Sequence, residues 1–219
     1  IDFAGNYNKH PKIEKYPVPK RIINAIASDQ KGQIWIGSEG YLAKLDGDKF
    51  KTVGNQYNYA FKVDHQNNLW GTNSQQLFRV LENKNGDITY SISLPDSRLK
   101  SKIKLVNFSQ IFEDHSNRVW TTNWQGEIFY YDDSQKRFFS PRIMFSNDST
   151  FKDTRISTFL VDKKGFFWSA TLEGLGKYKI NSENDQLTLM LEKVFREKEG
   201  LTTKDGISNL YTAAIEEDH

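Results

Sequence analysis

The chain has 219 residues, 37% of them apolar and 14% aromatic, enough to bury a core as one domain or part of one. Thirty Lys and Arg against 28 Asp and Glu leave a net charge of +2, so there is no electrostatic case for nucleic-acid or membrane-surface binding. Cysteine is absent, which excludes disulfides and thiolate metal sites, and no apolar run is long enough to cross a bilayer as a helix.

In chain order, the first strong signal is an apolar run at Ile23 and Ile26 that ends on Asp29. Gly32 stands three residues after this Asp, and Trp35 six residues after it inside a second apolar run. The arrangement returns at Asp64/Trp70, Asp114/Trp120 and Asp162/Trp168, with Asn67, Asn117 and Gly165 in the place of Gly32. A fifth copy begins at Asp218, where Ile215-Glu-Glu-Asp-His219 echoes Ile111-Phe-Glu-Asp-His115. The mean period is about 47 residues, within the range of propeller blades. Gly and Asn tolerate positive φ, as a tight hairpin with a bulged last position requires, and an Asp can accept from amides two residues on. Each Asp-x-x-(Gly/Asn) therefore reads as strand–turn–strand, with the Trp on the return strand.

A third apolar pair follows each Trp: Leu42 with Leu45, Leu77 with Val80, Ile128 with Tyr130, Leu175 with Tyr178. Fourth runs follow at Lys49–Val53, Ile88–Leu94, Lys136–Phe139 and Leu187–Phe195. Leu187, Met190, Leu191, Val194 and Phe195 also fit helical spacing, but Leu187, Leu189 and Leu191 alternate, and the blade needs a fourth strand, so strand is expected. Four short strands with turn clusters between them make one antiparallel blade. The expected fold is all-β: a β-propeller segment with about four complete four-stranded blades, near 21–53, 57–94, 106–140 and 155–196. Residues 1–219 are expected to form one partial propeller, with Ile13–Tyr16 as the last strand of a preceding blade and 207–218 as the first strand of a further one. The remaining blades of a longer propeller, or a second copy of the chain, are the expected partners at these ends.

Asp29-Gln-Lys-Gly-Gln-Ile-Trp-Ile-Gly-Ser38, followed by Leu42, resembles the two-component-regulator propeller repeat. Asp162-Lys-Lys-Gly-Phe-Phe-Trp168 with Gly174-Leu-Gly-Lys-Tyr178 is a second good copy, and Glu199-Gly-Leu201 with Ile207-Ser-Asn209 resembles the family's link between blades. Copies two and three depart from the pattern in the turn and after the Trp. The resemblance implies the periplasmic sensor region of a membrane-anchored hybrid histidine kinase, with an oligosaccharide as the usual ligand and no catalysis in this segment. Streptogramin lyase-like propellers carry a similar Asp-x-x-Gly-x-Leu-Trp repeat, so a propeller lyase or hydrolase, or an interaction scaffold, stands as the alternative.

His65, His115 and His219 each follow a repeat Asp, so they sit on equivalent turns of different blades and do not converge as metal ligands must. The Asp turns lack the oxygen positions of a calcium loop, and Gly174-Leu-Gly-Lys177 lacks the spacing of a phosphate loop. No metal, cofactor or catalytic residue is expected. The repeat Trp residues read as core between blades. Trp124 differs: it lies outside the repeat position, in a loop between second and third strands that is one residue longer than in the other copies. Loops between strands two and three share a face with the links between blades. That face groups Trp124, Asn123, Gln125, Glu39, Asn73 and Glu173 with Arg21, Tyr57, Tyr59 and Arg155 as the candidate ligand site. Aromatic rings beside amides, acids and arginines suit a polar ligand with apolar faces.

Overall fold

The structure is a computed structural model that describes residues 22–38, 40–54, 60–73, 76–95, 108–145, 155–171, 174–183, 186–196 and 215. Within them β1 (Ile23–Ser28), β2 (Ile34–Ser38), β3 (Tyr41–Asp46) and β4 (Lys49–Gly54) form an antiparallel sheet in chain order. The pattern repeats with β5 (Ala60–Val63), β6 (Leu69–Thr72), β7 (Leu77–Glu82) and β8 (Ile88–Pro95). It repeats again with β9 (Phe108–Glu113), β10 (Val119–Asn123), β11 (Ile128–Asp132) and β12 (Arg137–Phe139). After β13 (Arg142–Met144), a fourth set follows as β14 (Ile156–Val161), β15 (Phe166–Thr171), β16 (Gly174–Glu183) and β17 (Gln186–Phe195). Residues 187–195 are strand. β16 offers β17 a ladder from Glu183↔Gln186 to Leu175↔Phe195, and Leu187, Leu189 and Leu191 are buried on one side of it. The partial blades read at 13–16 and 207–218 lie outside the described residues, apart from Ile215.

The four Asp turns share one geometry. Asp29, Asp64, Asp114 and Asp162 each accept, on Oδ1, the backbone N–H groups two and four residues on, at 2.7–3.0 Å. Gly32, Asn67, Asn117 and Gly165 have φ of +77°, +64°, +62° and +81°, as the bulged hairpin demands. The other carboxylate oxygen explains the six-residue interval to the Trp. Asp64, Asp114 and Asp162 accept the indole N–H of Trp70, Trp120 and Trp168 on Oδ2 at 2.7, 2.8 and 2.8 Å. In the first blade this bond is absent, and the Trp35 indole N–H is buried with no acceptor.

Each buried Trp fills a seam between blades. Trp35 packs with Leu69, Phe78 and Val80 of the second blade. Trp70 packs with Val119, Phe129 and Tyr131 of the third, and Trp120 with Phe159 and Phe167 of the fourth. The residue three before the repeat Asp closes on the preceding Trp cluster, as Phe61, Ile111 and Phe159 do. Ile26 holds that place in the first blade and is 69% exposed. Trp168 is half-buried and stacks on Phe195 at 5.7 Å.

The outer strands carry parallel pairings that the repeat alone does not predict. The end of β8 pairs with β12 (Leu94↔Arg137, Pro95↔Phe138), which joins blades two and three into one eight-stranded sheet. β13, in the link after β12, pairs with β17 from Arg142↔Thr188 to Met144↔Met190. The end of β8 and the link strand β13 thus each run beside the outermost strand of the following blade and cover part of its edge.

Two outcomes test this account. Trp120→Phe removes an N–H from the buried Asp114 carboxylate and should cost about 1–3 kcal/mol more in denaturant unfolding than Trp35→Phe, whose N–H has no acceptor. Burial at Asp162 disfavours its charge, but the Trp168 indole, the Phe166 and Lys164 amides and the Lys177 charge outweigh it and lower its pKa. The stabilisation this lowered pKa reports is present above the ordinary carboxylate range and is lost as pH falls through it to the folded value. Asp162→Asn should therefore flatten the acid limb of a stability–pH profile.

Candidate functional site

Two faces arise from the strand order. The turns within β1–β2 and β3–β4 type hairpins lie at one end of each blade, the turn face. The β2–β3 type turns and the links between blades lie at the other, the loop face. Trp124 is at the tip of the β10–β11 turn on the loop face and is 64% exposed, unlike the buried Trp35, Trp70 and Trp120. Its turn is tightly built. Gly126 has φ +79° and donates its N–H to the Asn123 carbonyl at 2.9 Å. The Gly126 carbonyl accepts from Ile156 N at 3.1 Å, which ties the turn to the start of the next blade.

The structure brings Trp124, Gln125 and Arg155 together at this turn. A Cβ on Gly126 would lie 2.4 Å from the Cα of Arg155, and Gln125 and Arg155 are both exposed. Asn123 and Asn73 are buried, and their side chains serve the turns themselves. Asn123 Oδ1 accepts from Glu127 N at 2.9 Å and its amide donates to Glu127 Oε2 at 2.7 Å. Asn73 Oδ1 accepts from Gln76 N at 2.8 Å. Glu39, Glu173, Arg21, Tyr57 and Tyr59 lie outside the described residues.

On the turn face, neighbouring turns are joined. Gln30 donates its backbone N–H to Asn67 Oδ1 at 2.7 Å and its side-chain amide to the His65 carbonyl at 3.0 Å. His65 Nδ1 lies 2.7 Å from Glu113 Oε1, and His65 N donates to Glu113 Oε2 at 2.9 Å. A cleft of about 530 Å³ lies beside these turns, walled by residues of blades two, three and four, Arg79, Arg118, Tyr130 and Leu187 among them.

The positions that sequence reading missed are the cations on the repeat Trp rings. Lys44, Arg79 and Lys177 each follow the Trp by nine residues and pair directly across the sheet with Trp35, Trp70 and Trp168. Their charged groups stand 5.9, 5.2 and 5.6 Å from the ring centroids. In blade three the inserted loop residue moves this place to Tyr130, and Arg118 covers the Trp120 ring at 5.7 Å instead. The recurring spacing was the signal that could have found them.

Four successive four-stranded antiparallel blades with aromatic seams define the chain as a β-propeller segment. Residues 17–40 match the model of the two component regulator propeller family, the repeat that the Asp29–Ser38 segment resembles. No curated protein matches the sequence. Among solved structures, the chain is similar to the extracellular domain assigned to a hybrid two component system of B. thetaiotaomicron. The TM-score is 0.55 and the identity 18%, covering 80% of this chain and 25% of that one. It is also similar to a streptogramin B lyase, with TM-score 0.53, 15% identity, and 79% and 55% of the two chains covered. Virginiamycin B lyase from Staphylococcus aureus gives TM-score 0.51 and 16% identity over 76% and 54%. The chain thus spans a little over half the length of these lyases.

The Gly126 geometry makes a direct prediction. An alanine there would meet Arg155 and Ile156 backbone at 2.4 Å in a φ region that side chains avoid. Gly126→Ala should cost more than about 1 kcal/mol and should raise the hydrogen-exchange rate of the Ile156 amide.

Proposed function

We propose that this chain is a ligand-sensing, non-enzymatic propeller segment of a membrane-anchored two-component regulator, placed on the extracytoplasmic side, with a carbohydrate as its ligand. The family match at residues 17–40 and the likeness to an extracellular two-component domain support the setting. The observation that carries the ligand reading is Trp124, whose ring is 64% exposed on a turn held by its own hydrogen bonds and by blade four. An exposed ring on a rigid turn loses little entropy on binding and offers an apolar face to the C–H surface of a sugar. Gln125 and Arg155 beside it offer polar groups for the hydroxyls.

A lyase reading is less well supported. His65 and His115 lie on the turn face, away from Trp124, and the His65 ring is engaged by Glu113. For a sensor, ligand must bind two conformations of the full receptor with different affinity, because equal affinity shifts nothing.

Trp124→Ala in the full-length receptor should abolish the response to carbohydrate while changing unfolding free energy by well under about 1 kcal/mol, as exposed positions do. A variant that keeps the carbohydrate response would overturn the reading. So would one that loses response to a protein partner while its carbohydrate titration matches wild type.

A further inference from the structure

The turn-face cleft is lined by a cation, Arg79, that among the described residues lies over the Trp70 ring and makes one long ion pair. The Arg79 side chain is only 18% exposed, yet among the described residues its guanidinium donates no hydrogen bond. Its nearest acid, Asp133, stands 3.8 Å away, is 68% exposed, and is held more closely by Lys136 at 2.9 Å. A guanidinium carries five N–H donors in a fixed planar fork. These donors open on the cleft, where a ligand's acceptors can take the place of solvent.

The lining holds a second arginine and three acids. Arg118 gives its Nε–H to Asp114 at 2.7 Å, and its terminal nitrogens meet no acceptor among the described residues. The acids are already engaged. Asp64 accepts from Trp70 and Asn68, and Asp132 accepts from Ser134 and Gln135, which helps lower its pKa against the opposing effect of burial. The apolar part of the wall is formed by Tyr130, Tyr131 and Leu187, and the Leu187 N–H donates to the Tyr130 hydroxyl at 3.2 Å. The volume of about 530 Å³ suits a small organic molecule.

We propose that this cleft is a second binding site, distinct from the Trp124 face, for a small organic carboxylate. Its oxygens pair with the Arg79 fork, Arg118 supplies further donors, and its apolar body lies against the tyrosines. A planar carboxylate matches the guanidinium fork bidentately, which a neutral amide cannot do. Because the walls come from three blades, an occupant ties those blades together.

The test uses benzoate and its neutral counterpart benzamide, titrated calorimetrically into the protein, with the indole N–H resonance of Trp70 as a local reporter. Benzoate should bind in roughly the millimolar range, weaken as salt rises, and shift the Trp70 signal. Benzamide should bind at least about tenfold more weakly. Arg79→Gln should reduce benzoate affinity about tenfold or more, and Arg79→Lys should recover only part of it, since charge without the fork remains. Asp133→Asn removes the one acid within ion-pair distance of Arg79 among the described residues and should strengthen binding; it also keeps the test decisive if Arg79→Gln fails to fold. Equal binding of benzoate and benzamide, no benzoate binding at tens of millimolar, an unmoved Trp70 signal, or weaker binding to Asp133→Asn would each overturn the proposal. The carbohydrate reading is tested through Trp124 with different probes, so either can fail while the other stands.

Discussion

In three of the four blades one carboxylate does two jobs at once, and the coupling of turn to seam depends on it. Through Oδ1 the repeat Asp gathers the two amides that a bulged hairpin leaves unmatched, and through Oδ2 it takes the indole N–H of the Trp six residues on. The first bond fixes where β1-type strands end and β2-type strands begin. The second lets a Trp be buried among apolar rings without an unpaired donor, which would otherwise oppose its burial. Local turn chemistry is thereby coupled to the largest side chain in the seam. The first blade shows the coupling by its absence: Asp29 keeps both amide bonds but the Trp35 N–H is orphaned, and Trp35 is still buried. Packing against blade two is thus sufficient to hold the ring, and the indole bond adds to it.

The seams are built by succession. Each Trp meets the next blade's residue before its own Trp (Leu69, Val119 or Phe167), so the aromatic content of the chain is concentrated between sheets. Ring pairs there are mostly edge-on or tilted, as Trp70–Tyr131 at 4.8 Å and Trp120–Phe167 at 5.5 Å illustrate. Such pairs gain beyond the area they bury. The cation across the strand covers a remaining ring face, and Lys44 extends the contact across the seam by its ion pair with Glu82. Link strands complete the arrangement at the outer edge.

What the sequence disclosed is what is encoded locally. The Asp, the Gly or Asn three residues later and the Trp at six specify a turn whose chemistry is complete within seven residues, and the four positive φ values match the four residues read as tolerating them. The alternation of Leu187, Leu189 and Leu191 likewise outweighed their helical spacing because a neighbouring strand was available. Features assembled from distant segments were not legible. The β8–β12 and β13–β17 pairings depend on the path of a link in space. Asn73 and Asn123 look the same in sequence whether an amide faces a ligand or caps its own turn, and here it caps the turn. The cleft draws on residues from Asp64 to Leu187, and no local pattern announces it. Trp124 stood out in the sequence because it broke the repeat, and its ring is exposed where the repeat Trp rings of the first three blades are buried.

The two faces differ in how they join the blades, which bears on what each can transmit. The turn face carries side-chain bonds from Gln30 to Asn67 and from His65 to Glu113, crossing two successive seams. A backbone bond from Ile156 to Gly126 crosses the third seam on the loop face. Between the two faces lie close-packed aromatic seams, and packed interiors respond to displacement by switching arrangement more readily than by stretching. A ligand held by groups of a single blade leaves the seams as they are. One that touches two blades changes the free energy of every arrangement in which those blades differ. Trp124 and Arg155 belong to adjacent blades across the Gly126–Ile156 bond, so the proposed loop-face site would meet that requirement by its position in the fold.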